Sequence, residues 1–343
     1  SPGNELEALV ANAELVGDFE VIDKRYEELA DGIIQTVFTF ATITPIKGSL
    51  ASIQEIRIPG GEVAGRGLFI PGMPRLEVGD RHILFLSSKD EYKNALVSYQ
   101  EALFHVQQSY YHQKKRALIV FEGWDASGKG GAIRRLTEKL DPRGVSVFPV
   151  AKPAQSDQEK HFLYRFWKHI PPPGSLHIFD RSHYGRVLVE RVNSLIERPI
   201  WQRSYREINE FEQTLSDNGV RIVKLFMHIS SKEQRERFEE RLHNPFKRWK
   251  LTEEDLHNRR MRNEYIAAAN EMFKRTHTSY APWHIINGEY KWQARIDVLE
   301  TIVNALSEGV EVAPPPLDEN LIAQASKQLD VDEALIAQAR RSD

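Results

Sequence analysis

The stretch Phe121-Glu-Gly-Trp-Asp-Ala-Ser-Gly-Lys-Gly-Gly131 determines the fold that we predict for this chain. Gly123 and the pair Gly128-Lys129 satisfy the pattern G-x-x-x-x-G-K, which is typical of a loop that binds phosphate groups. The apolar run Ala117–Phe121 precedes the loop, and a pattern of helical spacing over residues 133–140 follows it. Because the motif requires a strand before the loop and a helix after it, we predict a phosphate-binding loop at the N-terminus of a helix.

The chemistry of phosphate binding explains why these residue types occur in the loop. Glycines allow backbone N–H groups to approach a chain of phosphates closely, and the helix N-terminus adds positive potential. Lys129 supplies a mobile positive charge for a transferred phosphoryl group. Gly130 stands where the motif usually has a Ser or Thr that binds Mg²⁺, so the oxygen ligand must come from elsewhere, and Asp125 is the nearest candidate. A Gly-rich turn with a surface lysine is the alternative interpretation.

A second acidic residue, Asp180, ends the apolar run Leu176–Phe179. Ligands collect at the carboxyl ends of parallel strands, and an aspartate at such an end often holds the metal in phosphate-loop folds. Two carboxylates beside phosphates repel unless a cation is present, so Asp125 and Asp180 predict bound Mg²⁺, with Mn²⁺ as a substitute. Arg181 and Arg186 follow, and guanidinium groups suit bidentate phosphate contacts. The alternatives are a helix-capping Asp180 and two surface arginines.

The segment from Arg241 to Lys250 is basic and contains no acid. Its other cations are Lys247 and Arg248, and the helical patterns on either side mix both charge signs. A basic break between charged helices is typical of a lid that covers phosphate groups, whereas a solvated surface is the alternative. The flanking helical patterns are Ser231–Glu240 and Thr252–Arg262.

Strands alternate with helices after about residue 88, which is typical of a parallel sheet covered by helices on both faces. We therefore predict an α/β fold over residues 88–312. Its first helix is expected over Tyr92–His112. The predicted strands are Ala117–Phe121, Val145–Pro149, Leu176–Phe179, Ile222–Ile229 and Trp283–Ile286.

The two ends of the chain differ in character from this middle part. In residues 1–87 we predict a small β-rich domain of unknown role, because short β-rich runs alternate with Gly/Pro turns. The predicted strands there are Ile34–Thr44, Ser52–Ile58 and His82–Leu86. In residues 313–343 we predict a Pro-rich linker and a tail that is helical over Leu317–Arg341.

Composition excludes several classes of protein. The 343 residues include no cysteine, which excludes disulfides, thiolate zinc sites and cysteine nucleophiles. The net charge is −3, so any affinity for a polyanion must come from a local patch. No apolar run approaches the ~18 residues that a membrane span needs. We expect a cytoplasmic protein without nucleic-acid or membrane partners.

These residues resemble the polyphosphate kinase 2 family over about residues 88–308. Residues 121–131 are similar to the first phosphate motif of that family, Phe179–Arg191 to its second, Lys247–Asp255 to its lid and Thr276–Trp283 to a further signature. The resemblance implies a three-layer α/β/α P-loop kinase-like domain related to thymidylate kinases. It also implies Mg²⁺-dependent phosphoryl transfer between inorganic polyphosphate and a nucleotide, and a homodimer or homotetramer.

The resemblance assigns roles to individual residues. Asp125 and Asp180 would organise metal and acceptor phosphate, and Lys129, Arg181 and Arg186 would contact phosphates; these five are the expected catalytic residues. The other expected phosphate and polyphosphate ligands are Gly123, Ser127, Gly128, Gly130, Arg134, Arg241, Lys247, Arg248 and Lys250.

Two segments, Tyr184–Arg191 and Trp201–Phe211, look most like the polyphosphate:AMP phosphotransferases. Those proteins often carry two fused kinase-like halves, whereas this chain has the motifs of one half and has His183 where Trp is usual. The expected reaction converts polyphosphate and AMP to ADP. The alternatives are polyphosphate with ADP or GDP as acceptor, a nucleoside monophosphate kinase that uses ATP, and a non-enzymatic module that binds a partner through residues 1–87.

Overall fold

The computed structural model describes residues 15–28, 34–47, 52–59, 61–63, 66–68, 76–86, 89–314 and 318–329. Within these ranges an antiparallel sheet precedes residue 89 and a parallel sheet follows it. The predicted domain boundary between residues 87 and 88 lies outside the described residues, as do residues 315–317 of the expected linker and tail. The three-part division of the chain therefore stays a prediction.

The first sheet is small and antiparallel. Its strands are β1 (Leu15–Glu28), β2 (Ile34–Lys47), β3 (Ile53–Pro59) and, later in the chain, β6 (Arg81–Leu86). They pair in the order β3-β2-β1-β6, and two short strands, β4 (Gly61–Val63) and β5 (Arg66–Leu68), pair with each other. The three strands predicted in this part are confirmed. One cluster of buried apolar residues described here consists of Phe19, Val21, Phe38, Phe40 and Leu76.

Strand β1 was not predicted from the sequence. Its residues do not keep a period of two, because its register against β2 shifts between Asp18 and Phe19 and again between Val21 and Asp23. Irregularities of this kind interrupt the alternation by which a strand is recognised. Phe19 and Val21 are nevertheless fully buried.

The second sheet is parallel and positions the candidate site. Its described strands are β7 (Arg116–Gly123), β8 (Val145–Pro149), β9 (Leu176–Asp180), β10 (Val220–His228) and β11 (Trp283–Asn287), so each predicted strand is confirmed. They pair in the order β11-β10-β7-β9-β8. Because β7 is central, the loop after it opens at the middle of the carboxyl edge, where sheets of this kind bind ligands.

Helices cover both faces of the parallel sheet. The described helices are α1 (Lys89–His112), α2 (Lys129–Thr137), α3 (Gln155–Gln158), α4 (Tyr164–Trp167), α5 (Val189–Val192), α6 (Arg198–Asp217), α7 (Ser231–His243), α8 (Glu253–Arg260), α9 (Arg262–Thr276), α10 (Lys291–Ser307) and α11 (Glu319–Leu329). Leu118 and Val120 of β7 share a core with α6 and α9, whereas Ile119 and Phe121 share one with α1, α2 and α10. The predicted three-layer α/β/α fold is therefore confirmed. None of the described helices is long and apolar enough to cross a membrane.

Several helical predictions differ from the structure in their bounds, including residues 133–140, where the helix is Lys129–Thr137, and Ser231–Glu240, where it extends to His243. The helix predicted from Tyr92 already begins at Lys89. The pattern predicted over residues 252–262 is interrupted at Met261, whose backbone is not helical, so α8 and α9 are separate. The tail pattern predicted over residues 317–341 contains α11, and its remainder lies outside the described residues.

Candidate active site

The phosphate loop begins where β7 ends, and glycine is required there. Gly123 has a φ of 134°, and a Cβ atom on it would lie 2.3 Å from the carbonyl oxygen of Met227 on β10. The N–H of Trp124 donates to that same oxygen at 3.2 Å. Strand β10 therefore approaches the first turn of the loop so closely that no side chain fits between them.

Helix α2 begins inside the loop at Lys129. Its N-cap, Gly128, has a φ of 105° and forms no side-chain cap, so N–H groups of the first turn can bind an anion. The Lys129 ammonium donates to the carbonyl oxygens of Gly123 at 2.8 Å and Trp124 at 3.0 Å. Burial lowers the pKa of this ammonium, and the carboxylate of Asp125 opposes that shift. The loop therefore wraps around the ammonium group of its own Lys129.

The loop aspartate, Asp125, accepts hydrogen bonds from three other segments. Its Oδ1 accepts from Nη2 of Arg181 at 2.7 Å, and its Oδ2 accepts from Nδ2 of Asn258 at 2.9 Å. Its main-chain oxygen accepts from Nε2 of Gln234 at 3.1 Å, and the Tyr265 hydroxyl donates to Oδ1 of Asn258 at 3.1 Å. The carboxylate is thus fixed between the end of β9 and α8, and the main chain of Asp125 is bound to α7.

The two predicted metal ligands lie at one edge of the sheet. Asp180 ends β9 and is paired in register with Phe121 near the end of β7, three residues before the turn that holds Asp125. No group of three or more metal-ligating side chains occurs within the described residues. Mg²⁺ is usually held by one or two carboxylates together with water and phosphate oxygens, so this pair fits Mg²⁺ and does not fit a metal bound by the protein alone.

The turn after β9 binds a third carboxyl group, that of Glu122 on β7, through a contact that was not predicted. Arg181 has a left-handed φ of 64°, and its N–H donates to the carbonyl oxygen of Phe121 at 3.0 Å. Ser182 then points inward and donates through its hydroxyl to Oε1 of Glu122 at 2.7 Å. Burial raises the pKa of the Glu122 carboxyl, and the Ser182 hydroxyl partly offsets this shift.

A mainly apolar cleft, cleft A, opens on one side of the loop. Its polar lining groups include the joined side chains of Asp125, Arg181 and Asn258. An apolar cleft with a few converging polar groups is typical of a small-molecule site. Its other lining residues are Glu122, Gly123, Trp124, Gly185, Leu188, Val189, Phe226, Gln234, Tyr265 and Ala269.

One wall of cleft A is the ring of Trp124. Its Nε1 donates to Nδ1 of His228 at 3.1 Å, and the guanidinium carbon of Arg262 lies 4.2 Å from the ring centroid. Burial and the charge of Arg262 lower the pKa of His228, which is consistent with a neutral imidazole that accepts at Nδ1. The indole is therefore held at its edge by His228 and on one face by Arg262.

A second cleft, cleft B, lies on the other side of the loop and shares no lining residue with cleft A. Its cations are Lys247, Lys291 and Arg295, and burial lowers the pKa of Lys291 to about 8. The Ser127 hydroxyl is buried and has no hydrogen-bond partner among the residues described. Cations around an unpartnered donor suit an anion. The remaining lining residues are Gly128, Gly131, Met227 and Ala294.

The predicted lid cations have different positions. Lys247 lines cleft B, whereas the other three line neither cleft. Arg241 donates to the carbonyl oxygen of Lys250 at 2.7 Å and lies 3.6 Å from the Asp255 carboxylate. Arg248 is exposed, and its Nε donates to a main-chain carbonyl of the same segment at 2.8 Å. Arg241 therefore helps to hold the lid together, and Arg248 and Lys250 face solvent.

Besides the lid cations, five predicted site residues line neither cleft: Lys129, Gly130, Arg134, Asp180 and Arg186. Arg186 forms an ion pair with Glu190, and its guanidinium carbon lies 4.5 Å from the centroid of the Phe162 ring. Arg134 is exposed on α2, one turn after Gly130. Their phosphate contacts stay predictions.

A buried charged network lies behind the second phosphate motif. The Lys224 ammonium donates to Oε2 of Glu212 and to the Tyr184 hydroxyl, both at 2.7 Å, and Nε2 of His183 lies 3.0 Å from Oε1 of Glu212. All four residues are at most 1% exposed. Burial opposes ionisation of Glu212, but Lys224 and His183 together outweigh it and lower the pKa of this carboxyl. The network anchors the turn that begins at Arg181.

Several residues of the site were not predicted. Lys291 and Arg295 lie on successive turns at the start of α10, directly after β11, and the tendency of ligands to collect at strand ends could have identified them. Asn258 and Gln234 carried no such signal, because polar residues on charged helices resemble a solvated surface. Their role appears only when α7 and α8 are folded over Asp125.

Comparison with known proteins gives consistent matches. The family model described as polyphosphate kinase 2 matches residues 86–312. A polyphosphate:AMP phosphotransferase of Pseudomonas aeruginosa is 44% identical over 218 residues, which are 64% of this chain and 44% of that protein. An AMP/ADP-polyphosphate phosphotransferase of Meiothermus ruber is 38% identical over 232 residues, 67% of this chain and 86% of that protein.

A solved structure agrees with these matches. The polyphosphate kinase 2 of Arthrobacter aurescens TC1 superposes with a TM-score of 0.68 at 31% identity, covering 72% of this chain and 89% of that one. The chain spans less than half the length of the Pseudomonas protein that it matches.

Proposed function

The chain belongs to the polyphosphate kinase 2 family, and on this premise we propose that it transfers phosphoryl groups between inorganic polyphosphate and a nucleotide. The observation that carries the proposal is the placement of two separate clefts on one phosphate loop. Asp125 borders cleft A, and Ser127 and Gly128 border cleft B. A loop with a ligand site on each side suits a reaction in which one phosphoryl group passes between two bound molecules.

Cleft B is the proposed donor site. Polyphosphate carries a negative charge at every unit, and the cations Lys247, Lys291 and Arg295 line this cleft beside the loop glycines. Each cation that contacts the polymer releases a counterion, so we expect binding to weaken steeply with salt. The N-terminus of α2 would receive the terminal phosphate.

Cleft A is the proposed acceptor site. Its apolar wall and the indole of Trp124 suit a heterocyclic base, and Arg181 suits the phosphate of the acceptor. We propose AMP as the preferred acceptor. This choice is supported by 44% identity to a protein named polyphosphate:AMP phosphotransferase, against 38% to one named ADP-polyphosphate phosphotransferase 2.

The reaction forms and breaks one P–O bond. An oxygen of the acceptor phosphate attacks the terminal phosphorus of the polymer, and the bridging oxygen leaves with the electron pair as the new chain end. The attacking oxygen is already ionised at neutral pH, so no base is needed to remove a proton from it. The role of Asp125 is therefore to position the reacting groups. Lys129 offsets charge on the transferred group. Asp125 and Asp180 would hold Mg²⁺, or Mn²⁺ in its place. The bound ion would neutralise negative charge on the phosphate groups.

The proposal also includes a cellular location and an oligomeric state. We propose a cytoplasmic location, which the cysteine-free sequence supports. We also propose a homodimer or homotetramer, as the resemblance to the family implies. Size-exclusion chromatography with light scattering would measure the second point directly.

A coupled assay tests the proposed function. It contains Mg²⁺, polyphosphate as the only donor, and AMP or ADP as acceptor. ADP formed from AMP supports both the reaction and the acceptor, whereas ATP formed only from ADP keeps the reaction and changes the acceptor. Turnover with ATP as donor and AMP as acceptor, and none with polyphosphate, would instead indicate a nucleoside monophosphate kinase.

A further inference from the structure

A buried acid lies beside the cations of cleft B. Glu240 of α7 is 6% exposed, and its carboxylate pairs with the ammonium of Lys247 through Oε1. Its Oε2 lies 3.4 Å from the ammonium of Lys291. One carboxylate therefore holds two of the three cations that line this cleft.

This acid is unexpected in a site for a polyanion. A negative charge among the cations lowers the local potential and repels an incoming phosphate chain. It also holds the two lysines in place, because a buried carboxylate is costly unless it is paired. Glu240 therefore opposes binding of any anion that needs Lys247 or Lys291.

We propose that Glu240 is an internal counter-ion that makes cleft B selective for long polyphosphate over single phosphate ions. The inference rests on the proposed function. An orthophosphate ion that enters the cleft must take the two ammonium groups from Glu240, and it gains few other contacts in return. A polymer can place its charge on Arg295 and the loop N–H groups while the two lysines stay partly paired with Glu240, so it incurs a smaller penalty than orthophosphate.

Selectivity is a difference between two affinities, and a repulsive group can supply it. Glu240 weakens the binding of orthophosphate by a larger factor than the binding of the polymer, because the polymer has contacts that do not require the carboxylate to be displaced. The lysines are also held apart and oriented before the polymer arrives, which reduces the cost of ordering them. The residue is thus specificity-determining, and it touches neither the acceptor cleft nor Asp125.

Glu240→Gln tests the proposal, with Kd values measured for orthophosphate and for long-chain polyphosphate at one salt concentration. We expect the Kd for orthophosphate to fall roughly tenfold, because a like charge within contact distance is removed. We expect the Kd for polyphosphate to fall less, so the ratio of the two affinities decreases. An unchanged ratio, or two affinities that weaken together, would overturn the proposal.

Two further variants keep the test decisive. Glu239→Gln is the matched control, because Glu239 is on the same helix and pairs at 2.7 Å with the exposed Arg235; its ratio should equal that of the wild type. Glu240→Asp retains the charge but shortens the side chain, and we expect an intermediate ratio even if the Gln variant does not fold. A wild-type ratio in the Asp variant would count against the proposal.

The inference and the proposed function fail in different experiments. Turnover of polyphosphate by the wild type in the coupled assay establishes the function without reference to Glu240. If that turnover is present and the affinity ratio does not depend on Glu240, only the inference is wrong. If the wild type does not turn over polyphosphate, the proposed function is wrong and the inference falls with it.

Discussion

Nη2 of Arg181 lies 2.7 Å from Oδ1 of Asp125, which joins two motifs that are 56 residues apart in the chain. The contact is possible because β7 and β9 are neighbours in the sheet, so the loop after one strand meets the turn after the other. The opposite oxygen of Asp125 binds Asn258 of α8. The carboxylate therefore connects the phosphate loop, the second motif and helix α8.

Asp125→Asn should reduce kcat by about 100-fold or more, because the amide loses the negative charge that orders Arg181 and binds a metal. Folding should be retained, since the side chains have nearly the same shape. The coupled assay and a thermal melt measure the two effects. Asp141→Asn is the control, because Asp141 pairs with the exposed Arg143 outside both clefts. Near-normal turnover would remove Asp125 from the catalytic residues.

Gly123→Ala should lower the free energy of unfolding by roughly 3 kcal/mol, because the new Cβ would meet the carbonyl of Met227 at 2.3 Å in a left-handed backbone. Gly130→Ala is the comparison, since its Cβ would meet open space within a helix. That variant should be unchanged or more stable by up to about 1 kcal/mol. Urea unfolding measures both, and equal stabilities would contradict the predicted contact.

The KM for polyphosphate should rise as pH increases through about 8, because Lys291 then loses its charge. Burial lowers this pKa from 10.5, so between pH 8 and 10.5 the unfolded chain binds more protons here than the folded chain. The free energy of unfolding should therefore rise with pH in that window through this group. Lys291→Arg keeps its charge and should flatten the rise in KM. A rise that persists in this variant would assign the titration to another group.

Lys224→Met should destabilise the protein by about 3–5 kcal/mol, because it leaves the Glu212 carboxylate buried without its cation. Adding Glu212→Gln should restore part of that loss, since the uncompensated charge is then removed. Chemical unfolding of the two single variants and the double variant gives the coupling energy. Strictly additive losses would show that the two residues do not act as a pair.

Lys247→Ala should reduce the slope of log Kd for polyphosphate against log salt by about 1, because one cation leaves the polymer. Arg248→Ala should leave the slope unchanged, since Arg248 is exposed and lines neither cleft. The comparison separates two adjacent cations that the sequence treats alike. Equal slopes in both variants would mean that cleft B is not the polymer site.

The sheet and the loop were predictable because their signals are local. A strand, a glycine-rich turn and a helix follow one another within about 20 residues, and Asp180 ends a strand of its own. Strand β1 was missed because its register shifts at Phe19 and Val21 interrupt the pattern of alternation.

The rest of the site depends on contacts between distant segments. Asn258 reaches Asp125 from 133 residues away, and Glu240 reaches Lys291 from 51 residues away. Arg248 looks equivalent to Lys247 in the sequence, yet only the fold directs one of them into a cleft. The spacing of residues along the chain does not predict such contacts, because they depend on how α7 and α8 pack across the loop.

The separation of clefts A and B has a consequence for how a long polymer is consumed. If the proposed assignment of the clefts holds, a nucleotide would enter and leave through cleft A while the polymer stays in cleft B, since the two clefts share no lining residue. After each turnover the shortened end needs only to advance by one unit to occupy the loop again. The arrangement therefore favours processive shortening of one chain, and partly digested reactions should contain intact and very short polymers together.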